Sequence, residues 1–137
     1  MTTPTLERTE SKQSKYALHV EDDRTLQSTI GAHLKEAGYD IIQTNNLRDA
    51  ERFVQNQRFD LYVVAGRFPP VRGGLKELDT SLKLYETVKQ QHGLNLNFVV
   101  ISTGDASVES ECRKRSIRLF DRTRLEVSFV DYLNSLK

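Results

Sequence analysis

The sequence has a single cysteine, no long apolar run and almost no net charge. Cys112 has no partner for an internal disulfide, and no histidine stands at metal-ligand spacing from it. No segment approaches the roughly 20 apolar residues that a membrane helix needs. Residues 1–15 are polar and lack the apolar segment of a secretory signal. We therefore expect a cytoplasmic protein with a disordered tail over residues 1–15 and no contact with a membrane.

The basic residues are concentrated in one part of the chain, although the overall charge is balanced. The sequence has 20 Lys and Arg against 19 Asp and Glu, a net charge of +1, which argues against direct binding of nucleic acid. A local basic stretch comprises Arg113, Lys114, Arg115, Arg118, Arg122 and Arg124. Because charged residues are usually exposed, we interpret this stretch as a solvated face or a protein-docking patch.

Five short apolar segments predict five strands, at residues 16–20, 39–44, 61–65, 98–102 and 117–120. The third is apolar throughout, as is typical of a central parallel strand that is covered on both faces. The length of 137 residues fits one compact domain, which we place at residues 16–137.

Amphipathic segments lie between and after the strands and predict five helices. Asp23 and Asn46 are candidate caps of the first two helices. The third is predicted from the spacing of Leu75, Leu78, Leu82, Tyr85 and Val88, the fourth at residues 106–114 and the fifth at residues 124–136. Strict alternation predicts an α/β fold, a flavodoxin-like three-layer αβα sandwich with a parallel sheet. Chemistry in such folds lies at the carboxyl ends of the strands.

Two motifs at predicted strand ends carry a family resemblance. Glu21, Asp22 and Asp23 follow strand 1, and strand 3 ends at Ala65, with Pro69 four residues and Gly73 eight residues further on. This arrangement resembles the phosphorylation site of response-regulator receiver domains, in which an acidic pair ends strand 1 and a phosphoaccepting Asp ends strand 3. The resemblance covers roughly residues 16–136.

The resemblance implies a role for each matching position. Ala65 stands where the family has its phosphoaccepting Asp, and Glu21 and Asp22 stand where two carboxylates hold Mg²⁺. Thr103 matches the hydroxyl that bonds the phosphoryl group, and Arg122 stands in place of the family's Lys. The family's switch aromatic is replaced by Leu119, next to Phe120.

These replacements predict a pocket that does not take up phosphate. The methyl group of Ala65 can neither attack phosphorus nor bind a metal. Because a guanidinium favours bidentate pairing with carboxylates, we expect Arg122 to pair with Glu21 and Asp22. We therefore expect no required cofactor and at most weak binding of Mg²⁺ by Glu21 and Asp22.

Three functions are compatible with the sequence. The first is a non-enzymatic, receiver-like signalling domain of two-component type that acts by protein–protein interaction without phosphorylation. It would be either a stand-alone adaptor or the input domain of a larger protein. The second is a phosphorylatable receiver in which an Asp at position 65 has been replaced by Ala65. The third, a flavodoxin-like binder of small molecules, is disfavoured because no Gly-rich phosphate loop follows strand 1.

The resemblance also indicates where a partner docks. Receiver domains commonly use the face formed by helix 4, strand 5 and helix 5. The corresponding residues here are Arg113, Lys114, Arg115, Arg118, Arg124 and Val127. A basic cluster beside an exposed apolar residue suits an acidic protein partner or a second copy of the chain.

Overall fold

The computed structural model describes residues 15–77, 79–93, 97–102 and 104–136, which form one parallel sheet with helices on both faces. The strand order is β2-β1-β3-β4-β5. The strands are β1 (Lys15–Val20), β2 (Tyr39–Thr44), β3 (Leu61–Ala65), β4 (Phe98–Ser102) and β5 (Arg118–Asp121). The predicted fold is confirmed. Of the predicted tail, residues 1–14 lie outside the described residues, and Lys15 opens β1.

The helical segments follow the predicted order, and the predicted caps are present. They are α1 (Arg24–Glu36), α2 (Leu47–Asn56), α3 (Asp79–His92), α4 (Ala106–Lys114), a 3₁₀ turn (Arg122–Arg124), a π turn (Leu125–Phe129) and α5 (Val130–Ser135). The side chain of Asp23 accepts a hydrogen bond from the Leu26 N–H, and that of Asn46 accepts one from the Asp49 N–H. No described helix combines the length and apolarity that crossing a bilayer requires.

The side chains of the sheet alternate between two apolar layers, because successive strand residues point to opposite faces. One layer includes Leu18, Val64 and Val100 and packs against α2, α3 and α4. The other includes Ala17 and Val63 and packs against α1 and the C-terminal helical segment. Both faces of β3 are therefore buried, as its apolar sequence predicts.

The third helix begins later than the apolar spacing predicts. It starts at Asp79, so Leu75 lies in the preceding loop with 85% of its surface exposed. Leu78 lies outside the described residues. The segment before α3 is held as a loop because the Glu77 N–H donates to the Phe68 carbonyl at 3.2 Å and the Thr80 hydroxyl donates to the same oxygen at 2.7 Å. The prediction that Leu75 lies on a buried helix face was wrong.

The C-terminal segment is not the single α-helix that was predicted over residues 124–136. It passes through the 3₁₀ and π turns before α5, and the Val130 N–H donates to the Leu125 carbonyl, five residues earlier. The apolar side chains of Leu125, Phe129 and Leu133 are nevertheless buried, and that of Leu136 is partly buried. Burial of the apolar face is thus kept while the helix type changes, because tertiary packing outweighs local geometry here.

Candidate functional site: the cleft at the strand ends

The carboxyl ends of β1, β3 and β4 meet in a small cleft of about 110 Å³. Its lining comprises Glu21, Asp23, Leu26, Ala65, Gly66, Arg67, Lys76, Ile101, Ser102, Asp105, Val108 and Arg122. The sheet topology produces this meeting, since the loops that leave parallel strands emerge at one edge. Glu21, Ala65 and Arg122, three positions that the sequence singled out, therefore share one site.

Ala65 ends β3 inside the cleft and is 6% exposed. It pairs in register with Ile101 of β4, and the following Gly66 N–H donates to the Ile101 carbonyl at 3.1 Å. A Cβ atom at Gly66 would lie 2.9 Å from a methyl carbon of Val108, so only glycine lets α4 approach this closely. The backbone at the strand end is thus well fixed, but the side chain at its tip is a methyl group.

Glu21 is the buried carboxyl group of the cleft, with 4% of its surface exposed. Its Oε2 atom accepts a hydrogen bond from the Asp23 N–H at 3.1 Å. Burial raises the pKa of Glu21 to about 7, and the nearby charges of Asp22 and Asp23 also raise it. The Glu21 carboxyl therefore keeps its proton to a higher pH than a solvent-exposed glutamate does.

Asp22 does not line the cleft, and its charge is matched by a lysine that the sequence did not single out. Its Oδ2 atom lies 3.6 Å from Nζ of Lys76, which lines the cleft from the β3–α3 loop. Its Oδ1 atom is buried without a hydrogen-bond partner among the described residues. Asp23 lines the cleft, and its side chain also caps α1.

Arg122 lines the cleft from the far side but is exposed, and within the described ranges it forms no ion pair. The expectation that Arg122 pairs with Glu21 and Asp22 was therefore wrong. Asp22 pairs with Lys76 instead, because the β3–α3 loop brings the lysine to β1.

A second ion pair joins opposite walls of the cleft. Arg67, two residues past Ala65, pairs through its Nε atom with Oδ2 of Asp105. The hydrogen bond from Arg67 lowers the pKa of Asp105. The other oxygen of Asp105 accepts from the N–H groups of Ser107 and Val108 and so caps α4. The position of Asp105 before a helix made its capping role readable from the sequence, whereas nothing local pointed to Arg67 or Lys76.

The hydroxyl that the structure describes in this cleft belongs to Ser102. Thr103, the predicted hydroxyl position, lies outside the described residues. Ser102 is 1% exposed, accepts from the Gly104 N–H at 3.1 Å and lies 3.4 Å from Oε2 of Glu109. Its hydrogen-bonding capacity is thus used within the protein.

Leu119, at the family's switch position, and the adjacent Phe120 point to opposite faces of the sheet. Leu119 packs against the layer beneath α2, α3 and α4. Phe120 points to the other layer, with ring centroids 5.5 Å from Phe129 and 5.3 Å from Tyr132. Because strand side chains alternate, Phe120 cannot replace the missing aromatic at position 119.

The carboxylates around the cleft are engaged in other contacts, and this bears on how they could hold a divalent cation. Mg²⁺ prefers several charged oxygen ligands in octahedral geometry. Here burial raises the pKa of Glu21 to about 7, Asp22 pairs with Lys76, Asp23 caps α1, and position 65 offers no oxygen. Across the described ranges, no group of three or more His, Cys, Asp or Glu side chains is placed to hold a metal ion.

The residues of the predicted docking face lie on α4, β5 and the C-terminal segment. Lys114 and Arg115 both pair with Glu111, at 3.3 and 2.5 Å. The guanidinium of Arg118 lies 4.9 Å from the centre of the Tyr132 ring. Arg113 and Arg124 are exposed, and Val127 is 64% exposed.

Cys112 is buried in α4 and does not reach this face. It is 0% exposed, and burial raises the pKa of its thiol to about 11. A thiol in this state is unreactive at neutral pH.

No family model and no curated protein sequence matches this chain. Solved receiver domains do match its structure. The chain is similar to the receiver domain of a sensor histidine kinase from Pseudomonas aeruginosa, with a TM-score of 0.72 and 18% identity over 90% of this chain and 97% of that one. It is also similar to the non-phosphorylated HemR receiver domain from Leptospira biflexa, with a TM-score of 0.71 and 20% identity over 90% of this chain and 94% of that one. For a response regulator receiver protein from Sinorhizobium medicae, the TM-score is 0.69 and the identity is 15%, over 93% of this chain and 100% of that one. The chain has the fold of response-regulator receiver domains.

Proposed function

We propose that this chain is a non-enzymatic, receiver-like signalling module of two-component type that recognises a protein partner without aspartyl phosphorylation. The observation that carries the proposal is the methyl group of Ala65 at the end of β3, within the cleft. Covalent transfer of a phosphoryl group requires a nucleophile at the point of attack. The receiver fold is present, and the atom that would receive the phosphoryl group is missing.

The ion pairs of the cleft support a state that needs neither phosphate nor metal. The structure from Pseudomonas aeruginosa has a magnesium ion coordinated in its active-site cleft. In this chain the ammonium group of Lys76 pairs with Asp22, and Arg67 pairs with Asp105. Internal cations thus neutralise these carboxylates, and we propose that Mg²⁺ binding is weak and unnecessary for docking.

The proposed docking face is that of α4, β5 and the C-terminal segment. Lys114 and Arg115 are partly neutralised by Glu111, and Arg124 lies close enough to Asp121 for their charges to interact, so Arg113 and Arg118 supply most of the remaining positive charge. The exposed side chain of Val127 supplies an apolar contact. An acidic protein surface or a second copy of the chain suits this face, and we place the interaction in the cytoplasm without membrane or nucleic acid.

Two variants and a matched control test the docking face. Arg113→Glu and Arg118→Glu reverse charge on exposed positions, and we expect each to weaken self-association or partner capture, measured by ultracentrifugation and affinity purification. Lys35→Glu reverses an equally exposed charge on α1 and should change neither. Unchanged association in a double Arg113→Glu, Arg118→Glu variant, with folding verified by circular dichroism, would overturn the assignment of this face.

The replaced-aspartate alternative differs in one measurable respect. If Ala65 stands in an otherwise competent phosphorylation site, Ala65→Asp restores labelling by a radioactive phosphodonor. If the pocket has diverged more widely, including Arg122, the variant stays unlabelled. Binding of a small molecule in this cleft is disfavoured, because ligand pockets usually measure about 300–1,000 Å³ and the cleft measures about 110 Å³.

A further inference from the structure

The turn in the β3–α3 loop displays two apolar side chains to solvent. Val71 is 45% exposed and Leu75 is 85% exposed. Between them, Gly73 has a positive φ of 77°, and the Gly74 N–H donates to the Val71 carbonyl at 3.0 Å. One exposed apolar residue is ordinary, but two within five residues of one loop give that loop an unusual amount of exposed apolar surface.

Hydrogen bonds to the rest of the protein hold this turn in place. The first two N–H groups of α2 donate to the carbonyls of Pro69 and Pro70, both at 3.0 Å. At the stem, the Glu77 N–H donates to the carbonyl of Phe68, whose side chain is fully buried. The turn is therefore preorganised, so a partner that binds it loses little free energy in ordering it.

Three arginine side chains lie beside Val71 of this turn. A shallow groove of about 450 Å³ is lined by Val71, Arg48, Arg52 and Arg72, together with two residues of the α2 N-terminal turn. Its one carboxylate, Asp49, lies 3.8 Å from Arg52. Among the ion pairs of the described ranges, none involves Arg48 or Arg72. The groove thus has three arginines against one aspartate.

We infer that Arg48, Arg52, Val71, Arg72 and Leu75 form a second docking surface, here called the arginine loop surface. Its occupant is an acidic segment of a partner protein that carries an apolar side chain. The charge argues for the acidic residues, because opposite charges speed encounter and fix orientation. The exposed leucine argues for the apolar residue, because burying it on contact adds affinity. This surface lies on α2 and the β3–α3 loop and does not depend on the docking face proposed above.

A peptide titration followed by amide NMR tests the inference. The probe is a synthetic peptide with one leucine flanked by glutamates on both sides. We expect saturable shifts at residues 71–76 and at Arg48 that weaken as salt is added. The same peptide with lysines in place of its glutamates, or with serine in place of its leucine, should bind at least tenfold more weakly (roughly 1.4 kcal/mol).

Variants of exposed residues test whether the peptide binds at the arginine loop surface. Arg72→Glu and Leu75→Ser should each weaken the peptide roughly tenfold, with folding confirmed by circular dichroism. Arg118→Glu and Val127→Ser lie on the other docking face and should leave the peptide-induced shifts at residues 71–76 unchanged. Their failure to alter partner docking would count against the proposed function alone, so the two proposals fail separately.

Three results would overturn the inference. The first is the absence of shifts at residues 71–76 with millimolar peptide. The second is equal or tighter binding of a single-stranded oligonucleotide at the same salt, which would make this a general polyanion surface. The third is self-association that Leu75→Ser abolishes, which would make the occupant a second copy of the chain.

Discussion

The ammonium nitrogen of Lys76 lies 3.6 Å from Oδ2 of Asp22, beside the cleft that Ala65 closes at the end of β3. One residue comes from the β3–α3 loop and the other from the turn after β1. The pair places an internal cation next to the carboxylate that the receiver resemblance assigns to Mg²⁺. The same loop carries the exposed Leu75, so the arginine loop surface and the cleft both include residues of the β3–α3 loop.

Removing this cation should make the cleft a better site for a divalent ion. An exposed ion pair contributes about 0.5–1 kcal/mol, so we expect Lys76→Met to tighten the weak binding of Mg²⁺ about two- to five-fold by calorimetric titration. Lys89→Met, which removes a cation from α3, is the matched control and should have no effect. Tight stoichiometric binding by the unaltered chain would refute the idea that Lys76 substitutes for the metal.

The buried carboxyl of Glu21 should make the protein less stable as its proton is lost. Its pKa is raised from 4.5 to about 7, so the folded state binds the proton more tightly than the unfolded state. Its contribution to the free energy of unfolding is full below pH 4.5 and is lost as pH rises towards 7, by about 3 kcal/mol. Glu21→Gln should remove this loss, measured as urea unfolding between pH 4.5 and 8. An unchanged pH profile would show that Glu21 is not buried as described.

His19 should make the free energy of unfolding change with pH in the opposite direction. It is fully buried in β1, its Nδ1 atom contacts the Gln43 amide at 3.0 Å, and burial lowers its pKa from 6.5 to about 4. Its contribution to stability is present above pH 6.5 and is lost as pH falls towards 4. Between pH 4.5 and 6.5 this slope and that of Glu21 offset each other.

Single variants should separate the pH dependence of stability due to Glu21 from that due to His19. Glu21→Gln should reveal stability that rises with pH, and His19→Gln should reveal stability that falls with pH. If both variants keep the profile of the unaltered chain, the two groups are not the source of the pH dependence.

Leu75 and Leu84 differ in burial, because α3 begins at Asp79, after Leu75. Leu75 is 85% exposed, whereas Leu84 of α3 is fully buried. We expect Leu75→Ala to change the free energy of unfolding by less than about 0.5 kcal/mol and Leu84→Ala to lower it by about 2–5 kcal/mol. Urea denaturation measures both. Equal losses would indicate that Leu75 is buried after all.

The sequence predicted the sheet well because its signals are local and periodic. Residues 61–65 are apolar throughout, as a strand covered on both faces requires. Asp23 and Asn46 were readable as caps because capping depends on the next three residues. Leu75 was misplaced because its spacing continues that of α3, whereas the hydrogen bonds from Glu77 and Thr80 to Phe68 act over ten residues or so and leave no local pattern.

The sequence allowed three of the singled-out positions to be grouped, but it did not show how the charges pair. Strand ends are fixed by topology, so Ala65, Glu21 and Arg122 could be assigned to one cleft from the order of elements. The partner of Asp22 could not be read in this way, because Lys76 reaches it from a loop with no periodic pattern. Long-range ion pairs depend on loop paths, which a linear pattern does not specify.

The central claim is that the cleft accepts no phosphoryl group, and intact-protein mass spectrometry tests it most directly. The unaltered chain is incubated with acetyl phosphate and Mg²⁺, beside a receiver domain known to be labelled under the same conditions. We predict that the control gains the mass of one phosphoryl group and that this chain gains none, because Ala65 has no nucleophile. A stable phosphoryl adduct on Glu21, Asp22 or Asp23 would contradict the account.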